Sequence, residues 1–313
     1  MFVDFDICLI YSDFLRGLED PTKRLGTAPD AVPRLDNTSG LSIFGKLGGK
    51  RMSDPLVIAG KEFKSRLMVG TGRHRSMDEM VASVEASQAE IITVAIRRLS
   101  LDDPREKSIL DYFDWEDKHT ILPNTAGCAT AEEAVLTAQL ARELTGSNWI
   151  KLEVQPPGKW LLPDPIGTYQ AAQQLVDQGF VVLPYIHADP VLAARLESIG
   201  CATVMPLGSA IGSGQGILTM DEIQLIIEQA NVPVVVDAGL AVPSEASQSL
   251  EAGADAVLVN TAIAQAQDPI RMGEAFRLGV DAGRKAYLAG RIDRNPEGIA
   301  SSPTVGIATS STT

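Results

Sequence analysis

The run Asn148-Trp149-Ile150-Lys151-Leu152-Glu153-Val154 has the length and β-branched content of a strand. Alternation along a strand sets Ile150, Leu152 and Val154 on one face and Lys151 and Glu153 on the other. If the apolar face packs on helices, the second face is the interior of the fold, and an ammonium and a carboxylate both point into it. Buried charge is costly unless paired, so such a strand persists only where its charges have partners or a task. The competing reading is a half-exposed strand whose Lys/Glu face is solvated. The rest of the chain has to decide between them.

Outward from this run the sequence repeats one alternation. Eight short apolar runs occupy residues 66–70, 91–96, 120–123, 149–154, 181–185, 202–206, 232–236 and 256–259. Between them the apolar spacing is helical, as in Met77-Met80-Val81-Val84, Ala134-Ala138-Ala141-Leu144, Leu192-Leu196-Ile199 and Ile223-Ile226-Ile227. Helix signals sit in place: Ser76 before Met77, Thr130 followed three residues later by Glu133, and Gly179, Gly200 and Gly253 after three of the helices. Eight strand-helix units imply parallel pairing with right-handed crossovers, either closed as a (β/α)8 TIM barrel or open and doubly wound. The count of eight favours closure. Gly70-Thr71-Gly72-Arg73-His74 also fails to complete the Gly-rich dinucleotide fingerprint expected of an open sheet. Before the first barrel strand, residues 56–61 suggest a short strand and turn that closes the bottom of the barrel.

The length of 313 residues fits one such barrel, roughly 250 residues, plus extensions. Residues 1–53 show no sustained periodicity and read as an extension, residues 54–294 as the catalytic barrel and residues 295–313 as a tail. The family-like pattern described below begins close to Met52, so the extension is expected to be either a disordered arm or a mis-assigned start. Net charge of -13 argues against nucleic acid and against an anionic membrane as partners. Cys8, Cys128 and Cys201 lack metal spacing and suit a reducing compartment. Asp4 and Asp6 stand where a signal peptide would be basic, so a cytoplasmic location is expected.

In a barrel, chemistry sits at the C-terminal strand ends, with phosphate usually after strands seven and eight. Polar and small residues fall there: Asn124 to Gly127 after strand three, Lys151 and Glu153 on strand four, Gly208 to Gly216 after strand six, Asp237-Ala238-Gly239 after strand seven and Asn260-Thr261 after strand eight. Ala238, Gly239 and Gly212 are small enough for backbone amides to approach a phosphate, which is how an acidic protein binds an anion without a basic patch. A lysine inside a barrel is either an ion-pair partner or an amine that forms an imine with a carbonyl substrate. An imine acidifies the neighbouring carbon, and Glu153 and Asp237 are the candidate proton shuttles, unless they only balance the charge of Lys151. His74, His119 and His187 share no metal spacing and read as structural or solvent-exposed. Arg97-Arg98 could bind an acidic group, although surface solvation is the commoner use of such a pair.

The segments RLMVGTG (66–72), VAIRR (94–98), LPNTAG (122–127), KLEV (151–154), LLPDP (161–165), VMPLGSAIGSGQG (204–216), 234–239 and VLVNTA (257–262) resemble bacterial thiazole synthase of thiamin biosynthesis, in order, over about residues 56–303. The resemblance implies that 1-deoxy-D-xylulose 5-phosphate forms an imine with Lys151, with Glu153 and Asp237 as acid-base residues and Gly212, Ala238, Gly239, Asn260 and Thr261 contacting the sugar phosphate. It further implies sulfur transfer from the thiocarboxylate of a sulfur-carrier protein, condensation with dehydroglycine (2-iminoacetate) supplied by a dehydroglycine-producing enzyme, a homo-oligomer, and no metal or redox cofactor. Two departures are small: Ala210 stands where the family often has Pro, and Ala241 where it usually has Gly. Rival readings are another Schiff-base sugar-phosphate barrel, of aldolase or pyridoxal-phosphate synthase type, and a non-catalytic phosphate-binding scaffold.

Overall fold

The computed structural model describes residues 54–96 and 108–302. The expected N-terminal extension, Arg97-Arg98 and the end of the tail lie outside the described residues. The chain enters through an antiparallel hairpin, β1 (Leu56–Ile58) and β2 (Lys61–Phe63). Its two-residue turn places both Ala59 (φ 49°) and Gly60 (φ 78°) in the left-handed region, the backbone that matches the twist of a tight hairpin. Eight further strands follow: β3 (Leu67–Gly70), β4 (Ile91–Ala95), β5 (Thr120–Asn124), β6 (Trp149–Leu152), β7 (Val181–Ile186), β8 (Met205–Pro206), β9 (Val235–Asp237) and β10 (Ala256–Val259). The helices are α1 (Met77–Ser87), α2 (Ala131–Thr145), α3 (Pro165–Asp177), α4 (Pro190–Ser198), α5 (Met220–Gln229), α6 (Pro243–Glu251), the short α7 (Thr261–Ala264) and α8 (Pro269–Ala289).

Pairing between β3 and β10 is parallel throughout and runs in the order β8-β7-β6-β5-β4-β3-β10-β9. The bridges Val204↔Val234 and Leu207↔Asp237 then join β8 to β9 and close the ring. The closed barrel expected from the sequence is the one observed. Strands β8 and β9 are shorter than the apolar runs that announced them. Isolated bridges, not a continuous ladder, join them to each other.

Local signals match the sequence reading. Ser76 Oγ accepts from the Glu79 N–H and Thr130 Oγ1 from the Glu133 N–H, while Gly179, Gly200 and Gly253 follow their helices at φ of 79°, 100° and 108°. Each strand divides its side chains between two cores. Outward residues such as Ile150, Leu152, Val154, Val182 and Val236 pack against the helices. Inward residues at the lower end, among them Met68, Ile91, Leu122, Leu183 and Val235, meet Leu56, Ile58 and Phe63 of the hairpin, which plugs the barrel floor as expected. Trp149 sits against Phe63 edge-on at 5.8 Å, so the inward series Trp149, Lys151, Glu153 rises from the plug towards the open end. The carboxylate of Asp54, just ahead of the hairpin, takes Nε and Nη2 of Arg284 at 2.8 Å each and Nη2 of Arg66 at 3.1 Å, tying the plug to α8. After Gly290 the described residues are exposed and without regular structure.

Helix α8 lies against α1 and α6 through glycines: a methyl group at Gly273 would meet Ser83 O at 2.6 Å, and one at Gly283 would meet Ser247 Cα at 2.8 Å and Leu250 Cβ at 2.9 Å. Helix propensity alone says Gly283→Ala should stabilise by about 1 kcal/mol. The contacts with α6 are backbone and Cβ atoms that cannot swing away, so overpacking of about 1–3 kcal/mol wins. Gly283→Ala is therefore expected to lower Tm by several degrees in thermal unfolding. An unchanged or raised Tm would refute the close α6–α8 contact.

Candidate active site

Strand parity carries Lys151 and Glu153 to the inside of the barrel, where they are 4% exposed. The solvated Lys/Glu face is thereby excluded. β9, on the other side of the ring, ends in Asp237, which is 3% exposed. Lys151 Nζ donates to Glu153 Oε1 at 2.8 Å and lies 2.8 Å from Asp237 Oδ2, the latter an ion pair without hydrogen-bond alignment. Glu153 is one residue past the last hydrogen-bonded residue of β6. Its N–H donates instead to Thr125 Oγ1, and that hydroxyl donates back to Glu153 O, both at 2.8 Å. Its second carboxylate oxygen accepts from Gln155 Nε2 at 3.0 Å. Glu153 is thus fixed from three sides, whereas Asp237 Oδ2 depends on Lys151 alone.

Burial by itself would push Lys151 below the ordinary lysine pKa, but the Asp237 and Glu153 carboxylates outweigh it, and the amine is held above that value as an ammonium. For Asp237 the balance falls the other way: desolvation exceeds the attraction of Lys151, with Glu153 adding repulsion, and its pKa is raised. The ring of Tyr185, fully buried on β7, stands 5.2 Å from Lys151 Nζ.

Above these charges opens a cavity of about 600 Å³, within the size range of small-molecule sites. Its walls include Thr93, Asn124 and Gln155 as well as Lys151, Glu153 and Asp237. At its upper end the loops after β8, β9 and β10 converge: Gly212, Ala238, Gly239, Asn260 and Thr261 all line it. Ala238 (φ 66°) and Gly239 (φ 81°) are consecutive left-handed residues. For alanine this backbone is strained. A side chain at Gly239 would run into the Ser209 backbone, with N at 2.6 Å, so only glycine lets the two loops touch. A Cβ on Gly212 (φ 70°) would stand 3.7 Å from Thr261 Oγ1, which places these two at one spot. Asn260 differs from the rest. With its amide turned to face the carbonyls of Gly70 and Gly72, its nitrogen donates to them at 3.3 and 2.8 Å, so the side chain braces β10 to the loop after β3. Gly70 has no room for a Cβ because Asn260 Cβ would lie at 2.6 Å.

None of the three histidines lines this cavity. His119 is buried edge-on against Phe113 and Trp115, and burial lowers its pKa. His187 is exposed, and burial pushes the Cys201 thiol up to about 12. Gln155, Tyr185 and Thr93 were not among the expected site residues, whereas Asn124 was expected there as a polar strand end. Gln155 follows Lys151 and Glu153 at the same two-residue interval, and Tyr185 follows Val181 and Leu183 in the same way, so parity was the signal that could have found both.

A family model described as Thiazole biosynthesis protein ThiG matches residues 57–303. The chain belongs to this thiazole synthase family of thiamine biosynthesis. It is 57% identical over 261 residues to a thiazole synthase of a Synechococcus species, covering 82% of this chain and 94% of the relative. The same identity extends over 261 residues of a bifunctional ThiO/ThiG protein of a Nostoc species, of which the match spans 40%. Among solved structures, the Amycolatopsis orientalis BexX/CysO complex matches with a TM-score of 0.68 and 31% identity, over 79% of this chain and 100% of that one. The family resemblance read from the motifs is thereby established. Among the described residues no helix is long and apolar enough to cross a membrane.

Removing the ammonium tests the charge arrangement without any substrate. Lys151→Ala leaves two buried carboxylates facing each other, a loss of about 3–5 kcal/mol at neutral pH. Asp237 is already raised by burial, and without Lys151 it is raised further. A carboxyl whose folded pKa exceeds its unfolded value adds stability at low pH and loses it as pH rises. The stability deficit of the variant against the parent should therefore shrink as pH falls below neutrality, measured by denaturant unfolding. A deficit independent of pH would mean that the lost packing of the lysine, not its charge, is what matters.

Proposed function

We propose that the chain makes the thiazole phosphate carboxylate by holding 1-deoxy-D-xylulose 5-phosphate as an imine on Lys151. The observation that carries this reading is the amine on the cavity floor, 2.8 Å from each of two buried carboxylates, beneath three converging loops of small residues. The phosphate binds at the upper end, on the amides around Gly212, Ala238, Gly239 and Thr261, with Asn260 shaping that wall. The sugar carbonyl then reaches down to Lys151.

Lys151 rests as an ammonium, so a proton has to leave before the nitrogen can attack. Asp237, whose pKa is raised, is the acceptor suited to it. The free amine adds to the carbonyl carbon, water departs, and C=N replaces C=O. The protonated imine acidifies the adjacent C–H, which Glu153 and Asp237 move between carbons as the carbonyl is relocated along the sugar. Sulfur enters from the thiocarboxylate of a carrier protein, and dehydroglycine closes the ring, as the family resemblance implies. Two comparisons support protein partners at this barrel: a relative crystallised as a complex with CysO and another fused to ThiO.

Borohydride reduction of the protein with the sugar phosphate, followed by peptide mass spectrometry, should place the adduct on Lys151. Because the carboxylates hold this amine protonated, trapping should increase with pH and still be rising near the free lysine pKa of about 10.4. Lys151→Arg should give none. An adduct that persists in that variant, or maps to Lys159, overturns the assignment. Glu153→Gln and Asp237→Asn should each bind the sugar phosphate yet turn over about 10²-fold more slowly, the scale of acid-base catalysis. Loss of binding with unimpaired turnover of the bound fraction would make both mere charge partners.

A further inference from the structure

Tyr185 is fully buried, and its hydroxyl finds no hydrogen-bond partner among the described residues. A buried orphan donor is destabilising, and phenylalanine would fill the same space without it. The groups around it are charged. Pro184 pairs with Leu152 in the β6–β7 ladder, so the next inward positions are Tyr185 and Glu153, side by side. Lys151 Nζ lies over the Tyr185 ring at 5.2 Å, and Asp237 reaches the same region from β9. The phenol pKa is raised by burial first, with Asp237 and then Glu153 adding to it, so the hydroxyl remains a donor and never competes as an anion.

The resting state and the imine state differ in how many donors Lys151 offers. An ammonium has three N–H groups and serves both carboxylates. A protonated imine has one, and a neutral imine none. Glu153 keeps Gln155 Nε2 and the Thr125 clamp when the ammonium is consumed. The Asp237 carboxylate keeps only the Ala238 N–H, and its Oδ2, the atom facing Lys151, is left with no donor among the described residues. We propose that the Tyr185 hydroxyl is a standby donor that turns to Asp237 when Lys151 enters the imine, a positioning residue that stabilises the covalent state of the reaction. The inference rests on the Schiff-base reading above. No covalent bond to Tyr185 forms or breaks; neither Tyr185 Oη nor Asp237 Oδ2 has a hydrogen-bond partner among the described residues in the resting state, so the two side chains must close on each other as Lys151 Nζ leaves Asp237.

Tyr185→Phe in the full chain is the test, with three readouts. Tm without substrate should be unchanged or higher, because the variant removes an unpaired donor. The fraction of Lys151 trapped by borohydride at a fixed, subsaturating sugar phosphate concentration should fall by about tenfold. The pH profile of trapping should also move to lower pH, since Asp237, left with the Ala238 N–H alone, keeps the proton it took from Lys151, and imine formation then releases one proton fewer. In an Asp237→Asn background the same substitution should add no further loss in trapping. Equal trapping and an unshifted pH profile in Tyr185→Phe would overturn the proposal, and so would a lowered Tm, which marks an ordinary packing role. If the parent chain itself yields no Lys151 adduct, the Schiff-base reading falls and this inference with it. A parent adduct with an indifferent Tyr185→Phe removes only the inference.

Discussion

One ammonium between two carboxylates, all closed off from water at the centre of a barrel, is the constraint on which this structure turns. Such a trio holds one more negative than positive charge, and burial of that excess is unfavourable unless every group is anchored. The barrel provides the anchors by geometry. Lys151 comes from β6 above a plug of Leu56, Ile58 and Phe63, Glu153 is clamped to Thr125 and Gln155, and Asp237 enters from the opposite wall. Move β6 by one residue and Ile150, Leu152 and Val154 would face Asp237 while Lys151 and Glu153 pressed into helices. The apolar outer core and the charged inner site therefore fix the same register.

An excess negative charge at the floor is a poor place for a phosphate. On the proposed reading the two are separated along the barrel axis. The proposed anion site is the rim, where the loops carrying Gly212, Ala238, Gly239 and Thr261 meet at the cavity. An acidic chain with a net charge of -13 can accept a sugar phosphate this way, because oriented amides act within a few ångströms and leave the global field untouched.

Much of this was legible in the sequence because it depends on periodicity. Two-residue alternation around Lys151 and Glu153, eight apolar runs and capping residues such as Ser76 and Gly200 are all local patterns with one spatial meaning. The small residues at the rim were legible because barrel strands end there. What the sequence hid was relational. The parity that placed Lys151 also applied to Gln155, but Gln155 lies beyond the last hydrogen-bonded residue of β6, where a strand pattern no longer promises a direction. Asn260 reads as a polar strand end, and only the carbonyls of Gly70 and Gly72, far away in sequence, show that its amide is already engaged.

Asp237, Ala238 and Gly239 are consecutive, and this joins the two halves of the proposed site. The raised carboxyl proposed to take the proton of Lys151 is one peptide away from the amides proposed to hold the phosphate. The turn between them carries a left-handed alanine, a conformation retained at a cost of about 1–3 kcal/mol. A relaxed backbone at Ala238 would aim Asp237 or the Gly239 amide elsewhere. It would also break the contact between Gly239 and Ser209, and with it the hydrogen bonds by which the Gly208 N–H is shared between Asp237 O and Ala238 O. On the proposed reading, phosphate binding at the rim draws on the same strained turn that orients the base at the floor. A remote, unreacting part of the substrate can then contribute to the alignment of the reacting part, and not to its affinity alone.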